Sequence, residues 1–155
     1  MYSRKRRNRV ASLLNRVDAT AAAVGVAPRR LARLEVRGRR SGRRLSFPLV
    51  VAEYEGQRYL VAMLGNEANW VRNVRAAGGE AVLRHGRGES VRLDEIDPRA
   101  RAPILQRYLQ VAPGARAHFP VDRHAPLREF ERIAEQYPVF RIAATAGRAR
   151  EEASS

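Results

Sequence analysis

Between Leu31 and Ile96 the chain never runs straight for long. Glycine-bearing turns at Gly38 to Gly42, Gly56, Gly65, Gly78-Gly79 and Gly86 to Gly88 cut it into segments with room only for brief strands and one short helix. Leu31 to Val36 and about Leu45 to Tyr54 flank Arg37-Gly38-Arg39-Arg40-Ser41-Gly42-Arg43-Arg44, whose glycines permit a tight reversal, so a β-hairpin is predicted there. Pro48 lacks a backbone donor and predicts an edge position or a bulge in the returning strand. Glu55-Gly56-Gln57 then turns the chain into a third strand from Arg58 to Leu64, and these three are expected to lie antiparallel in sequence order.

Leu64 to Glu67 reads as a loop, and Ala68 to Ala77 as a short helix ended by Gly78-Gly79, with Trp70, Asn73, Val74 and Ala77 on one face. Ala81 to His85 and Ser90 to Ile96 form a strand pair around Gly86-Arg87-Gly88. Asp97-Pro98 supplies an N-cap and a first-turn proline for a helix through about Leu109, which Pro103 is expected to bend. After turn-rich residues 112 to 126, Leu127 to Gln136 reads as a helix and Pro138 to Ala143 as a last strand. About six short strands without βαβ alternation predict an α+β protein, a small antiparallel barrel with helices packed outside.

The chain has 155 residues, the size of one domain. Val10, Leu13, Leu14, Val17, Ala21 and Val24 recur at helical spacing, so the expected domain, residues 9 to 144, opens with an amphipathic helix. Residues 1 to 8 form a basic disordered arm in this reading, and residues 145 to 155 a disordered tail. With no cysteine, disulfides, zinc fingers, iron–sulfur clusters and a thiol nucleophile are excluded together, and a cytoplasmic address is the simplest expectation. No apolar run approaches the roughly 18 to 20 residues needed to cross a bilayer, and the N-terminal apolar stretch is broken before it develops into a secretory signal.

Charge is unevenly placed. The formal net charge is +14, and residues 1 to 44 hold 14 basic side chains against Asp18 and Glu35, so nearly all of the excess sits in the first third. Only Lys5 is lysine, and arginine's planar fork suits bidentate contacts to phosphate and carboxylate. An anionic partner is therefore predicted. Nucleic acid is not favoured, because aromatic residues make up 6% of the chain and no stacking platform is evident. The N-terminal helix leaves open a peripheral membrane contact, although its alanine-rich face lacks aromatics and suits packing on the barrel or on a second copy in a homodimer. His85, His118 and His124 show no ligand spacing, so no metal site is predicted.

The turn between the first two strands has the chemistry of a phosphate cradle, with backbone N–H groups beside glycines and guanidinium groups around them. Gly38-Arg39-Arg40-Ser41-Gly42, then Pro48-Leu49, then Asn69-Trp70-Val71-Arg72-Asn73-Val74-Arg75-Ala76 form an ordered series. This series resembles the deazaflavin-dependent nitroreductase family, over roughly residues 30 to 142. The resemblance implies a split β-barrel and coenzyme F420, a deazaflavin with a phosphate and an oligoglutamate tail, used in reduced form as a hydride donor.

It places the phosphate at Arg39, Arg40 and Ser41, with Arg44 or Arg43 standing in for an arginine that family members carry at the position of Leu45. The ring system would lie among Pro48 and Leu49, the strand end Ala62-Met63-Leu64-Gly65, and Asn69, Trp70 and Asn73. The expected activity is hydride transfer to a small-molecule quinone, nitroaromatic or activated enone, with Tyr108 and Tyr137 as candidate proton donors beside solvent. Leu64-Gly65 replaces a Ser-Lys pair of the family, which keeps a non-catalytic binder of lipid or another small ligand as an alternative. Flavin mononucleotide is the alternative cofactor, because its phosphate suits the same cradle. From the residues alone, Trp70 is either a core side chain or a cofactor wall, and Asn73 serves a helix-anchoring network, a cofactor contact or both.

Overall fold

In the computed structural model, residues 26 to 145 are described, so the predicted N-terminal helix, the basic arm and nearly all of the predicted tail lie outside them. Strands β1 (Leu31–Arg37), β2 (Arg44–Val50), β3 (Ala52–Tyr54) and β4 (Gln57–Val61) precede helix α1 (Asn69–Ala76). Strands β5 (Glu80–His85) and β6 (Arg87–Glu95), helices α2 (Ala102–Val111) and α3 (Leu127–Ile133), and strand β7 (Val139–Ala144) follow. The seven strands form one antiparallel sheet in the order β2-β1-β5-β6-β7-β4-β3.

The sheet curls for a reason visible in that order. β2 and β3 are separated in sequence by Val51 alone, yet they occupy opposite ends of the sheet. A segment that pairs with β1 in its first half and with β4 in its second forces the two edges toward each other, giving the half-barrel of a split-barrel fold. The expected single strand from Leu45 to Tyr54 is thereby corrected to two, and the six expected strands become seven. The expected in-order triplet is corrected as well: β4 pairs with β3 and β7, not with β2 along its length. Local pattern marks a strand but does not say where it bends or which neighbour it takes. Pro48 lies on β2, an end strand of the sheet, where its missing donor is tolerated.

Burial follows the two faces of the curl. Ala32, Leu34 and Val36 alternate inward along β1 while Arg33 and Arg37 are exposed, the period-2 pattern of a strand covered on one side. Leu60, Ala62, Phe140 and Ile142 join them in an inner core that α1 closes with Val71 and Val74. Tyr59, Val61 and Val139 point the other way, into an outer core with α2 and α3 that holds Leu105, Tyr108, Leu109 and Phe130. β4 and β7 are thus covered on both faces, which is why Tyr59, Leu60 and Val61, and Val139 and Phe140, are buried without alternation.

Two helix starts and one helix end differ from expectation. Asp97 does cap, accepting from the Arg99 N–H at 2.9 Å, but the turn it caps is a short 3₁₀ segment, Pro98–Ala100. Pro103 lies in the first turn of a new helix, where its missing N–H costs nothing, so it begins α2 instead of bending it. The last turn of the third helix, Ala134–Gln136, tightens to 3₁₀. Gly79 ends the turn after α1 with φ +87°, and a Cβ there would lie 2.6 Å from the Leu93 carbonyl oxygen, so only glycine fits.

Candidate functional site

The β1–β2 turn is held to α1 by a single buried amide. Asn73, 3% exposed, accepts on Oδ1 from the Arg39 backbone N–H at 3.1 Å and from the Arg39 guanidinium at 2.8 Å. The helix-anchoring reading of Asn73 is therefore the observed one, and its effect is to fix the arginine turn against the helix. Ser41 Oγ accepts from the Arg43 N–H at 3.2 Å, and the Gly38 N–H donates to the Arg43 carbonyl at 2.7 Å, closing the turn. Gly38 leaves no space for a side chain, since a Cβ would stand 2.9 Å from Ser41 Oγ and 3.3 Å from the Arg43 carbonyl oxygen.

The charges of the turn divide into spent and available. Arg44 and Arg84 both pair with Glu35, Arg44 at 3.6 Å. Arg40 and Arg43 are exposed, and their guanidinium groups have no acidic partner among the described residues. Arg39 meets only the neutral Asn73, so its charge also remains uncompensated. Three positive charges on a glycine-framed turn are the arrangement that an anion would satisfy.

Trp70, on the first turn of α1, packs between Phe47 of β2 at 6.0 Å and Phe140 of β7 at 5.5 Å between ring centroids. Its indole belongs to the inner core and ties α1 to the strand bearing Pro48 and Leu49. Pro48 is exposed, Leu49 half-buried and Asn69 exposed.

Beyond the end of β4 the chain forms a second feature, a cleft of about 350 Å³ lined by Met63, Leu64, Gly65, His118, Gln136 and Tyr137. Ala62 lies beneath it, fully buried, with its N–H donating to the Pro138 carbonyl at 2.9 Å. Leu64 stands 49% exposed at the mouth. Gly65 has φ +85° and approaches the Gln136 carbonyl, where a Cβ would come within 3.1 Å, so the two walls of the cleft touch at a glycine. Tyr137 stacks on Phe119 at 4.1 Å and donates its hydroxyl to the His118 carbonyl at 2.9 Å. Burial raises its pKa above the usual phenol value, so the proton stays on Oη at neutral pH.

The structure thus brings one of the two candidate tyrosines to the cleft. Tyr108 lies in the outer core, 3% exposed, its ring 6.1 Å from Phe119, with burial alone pushing its pKa up. Gln136 was not singled out from sequence, and His118 was weighed only as a metal ligand; residues far along the chain carry no signal of the strand end they meet. Among the described residues no cluster of three or more histidine, aspartate and glutamate side chains is arranged to hold a metal ion.

A curled antiparallel half-barrel with an arginine-framed anion site on one turn and a half-apolar cleft at a strand end defines a split-barrel protein suited to an acidic ligand. The model of the family described as F420H(2)-dependent quinone reductase matches residues 7–129, and the chain belongs to that family. It is accordingly an F420-dependent oxidoreductase, and coenzyme F420 is its cofactor.

Solved structures agree on the fold. A domain-swapped dimer superposes with a TM-score of 0.51 at 18% identity, covering 92% of this chain and 99% of that one. An F420-H2 dependent reductase, FDR-A, superposes at 0.51 and 18% identity, covering 76% and 96%. A protein of unknown function from Agrobacterium tumefaciens gives 0.52 and 16%, covering 83% and 52%. A search of curated proteins finds no match.

The residues present fit the cofactor. Arg39, Arg40 and Arg43, whose charges have no acidic partner among the described residues, would suit its phosphate and glutamate carboxylates.

Proposed function

We propose that the enzyme reduces a quinone held in the Met63–Tyr137 cleft, with nitroaromatics and activated enones as further acceptors. The observation that carries this reading is the presence of an uncompensated arginine turn, tied to α1 through Asn73, together with a cleft whose mouth is apolar and whose wall carries a protonated phenol. When bound, reduced F420 supplies a hydride, two electrons and one proton's mass, so the quinone needs one further proton to become the hydroquinone.

The chain's part is placement. Arg40, Arg43 and the free edge of Arg39 hold the anionic end by charge-assisted hydrogen bonds. Leu64 and Met63 cover the apolar face of the acceptor and keep water from it. Tyr137 Oη holds a proton that burial keeps in place, and releasing the His118 carbonyl would free it to donate toward the cleft. Fluorescence titration with F420, together with quinone reduction by Arg40→Ala and Tyr137→Phe, tests the assignment. Weaker F420 binding in the first and slowed turnover with unchanged F420 binding in the second are the expected results. Equal kinetics in Tyr137→Phe would leave the proton to solvent.

The likeness to a domain-swapped dimer supports a homodimer for this chain too, which light scattering on the eluting protein would establish or refute.

A further inference from the structure

Four polar side chains outside the cleft lining form a closed ring behind it. Asn66, in the loop that carries Leu64 and Gly65, donates from Nδ2 to the Glu135 carbonyl at 3.1 Å and accepts on Oδ1 from Arg75 at 3.2 Å. Arg75, on the last turn of α1, grips Glu95 with two bonds of 2.8 Å. Glu95, at the end of β6, accepts from Arg101 at 3.1 Å. Arg101 donates in turn to the Ala134 carbonyl at 3.0 Å and the Tyr137 carbonyl at 3.4 Å, and its Nε donates to the Ile96 carbonyl at 2.7 Å. The ring therefore begins on one wall of the cleft, the loop after β4, and ends on the other, the segment from Ala134 to Tyr137.

Arg101 is 4% exposed, the one charged side chain buried to that degree among the described residues. Burial lowers its pKa, and the Glu95 carboxylate opposes that shift. Glu95 is held below its usual carboxyl value, chiefly by the Arg75 hydrogen bonds. Both ends of the Arg101–Glu95 pair stay ionised at neutral pH, and losing Glu95 would leave the buried Arg101 without its counter-ion. That rigid half of the ring transmits its position through Arg75 to Asn66, whose amide bonds from the loop after β4 to the Glu135 carbonyl on the opposite wall. An amide is required there, since one atom must accept and the other donate.

We infer that Asn66 is a positioning residue that fixes the separation of the two cleft walls, and with it the fit of the acceptor ring, without touching the acceptor. The inference rests on the cleft being the quinone site. Asn66→Asp keeps an acceptor for Arg75 and removes the donor to Glu135, whereas Asn66→Ala removes both.

The test uses the F420-loaded enzyme with menadione. Expected for Asn66→Asp are a rise of about fivefold in KM and in the menadione dissociation constant measured by equilibrium dialysis, as for one lost hydrogen bond. The kcat and the F420 dissociation constant should stay within about twofold. Asn66→Ala combined with Arg75→Ala should be no worse than the worse single variant, because the two act through one linkage.

Unchanged menadione KM and dissociation constant in Asn66→Asp overturn the inference. So does a loss that appears equally in F420 binding and melting temperature, the mark of a merely structural role. Leu64→Trp separates the underlying reading: if filling the cleft mouth leaves menadione binding intact, the cleft is not the quinone site and both proposals fall. If Leu64→Trp blocks binding while Asn66→Asp does not, only the positioning role falls.

Discussion

Two buried polar side chains hold the two ends of the site, and they do so in different ways. Asn73 is neutral, sits on a short helix and meets one neighbouring turn through one oxygen atom. Arg101 is charged, sits between a 3₁₀ turn and a helix, and gathers three backbone carbonyls and a carboxylate from segments scattered over some forty residues. The first clamp leaves its partner's charge available, since an amide oxygen accepts from Arg39 without neutralising it. The second consumes its charge entirely. The proposed anion site is thus anchored by a neutral group, and the proposed acceptor cleft by an ion pair.

Removing the charged clamp should have the largest effect. Arg101→Ala takes the guanidinium from the Ala134, Tyr137 and Ile96 carbonyls and leaves Glu95 with Arg75 alone, and a loss of about 3 kcal/mol is expected from breaking a buried charged network. Urea unfolding measures it, and a loss below about 1 kcal/mol would show that water replaces the guanidinium freely.

Asn73→Ala comes next. It removes both bonds to Arg39, so stability should fall by about 1 to 2 kcal/mol and F420 binding should weaken together with it as the turn comes loose from α1. Stability that falls with F420 affinity intact would mean that the turn finds its shape without the helix.

Arg40→Ala isolates charge from architecture. The side chain is exposed and unpaired among the described residues, so stability should stay within about 0.5 kcal/mol, while F420 affinity drops roughly tenfold and its salt dependence flattens. Affinity that ignores both the substitution and added salt would remove Arg40 from the anion site.

The smallest effect belongs to pH. Glu95 has its folded pKa depressed below the ordinary 4.5 by Arg75 and Arg101, so its contribution is present above that value and is lost as pH falls through the lower, folded one. Acid titration of unfolding should therefore show Glu95→Gln as less acid-sensitive than the parent below about pH 4.5. Parallel curves would place the acid sensitivity elsewhere.

The turn end of the site was legible from residues because its information is local. Gly38, Ser41 and Gly42 lie within five positions, and a polar Asn73 beside Val74 on an otherwise apolar helix face already demands a partner. The series that includes Trp70 and Pro48 added the family. The cleft end was legible in part: the strand end from Ala62 to Gly65 and Tyr137 were named, but the meeting of that strand end with His118 and Gln136 was not. Arg101 was invisible, one arginine among many ahead of a helix, since nothing in Asp97-Pro98-Arg99-Ala100-Arg101 distinguishes the buried arginine from the exposed Arg99.

The sequence by itself determined the strand-rich class, the position of nearly every turn, the basic character of the first third and the family, because glycine, proline and charge act through their immediate neighbours. The tertiary structure decided where the strand after the arginine turn bends at Val51 and which strand β4 pairs with. It also decided which arginine is buried and which tyrosine reaches the cleft. Those outcomes depend on segments far apart in the chain meeting across a curled sheet, where a carbonyl at Ala134 and a carboxylate at Glu95 become partners of Arg101 only once the barrel has formed.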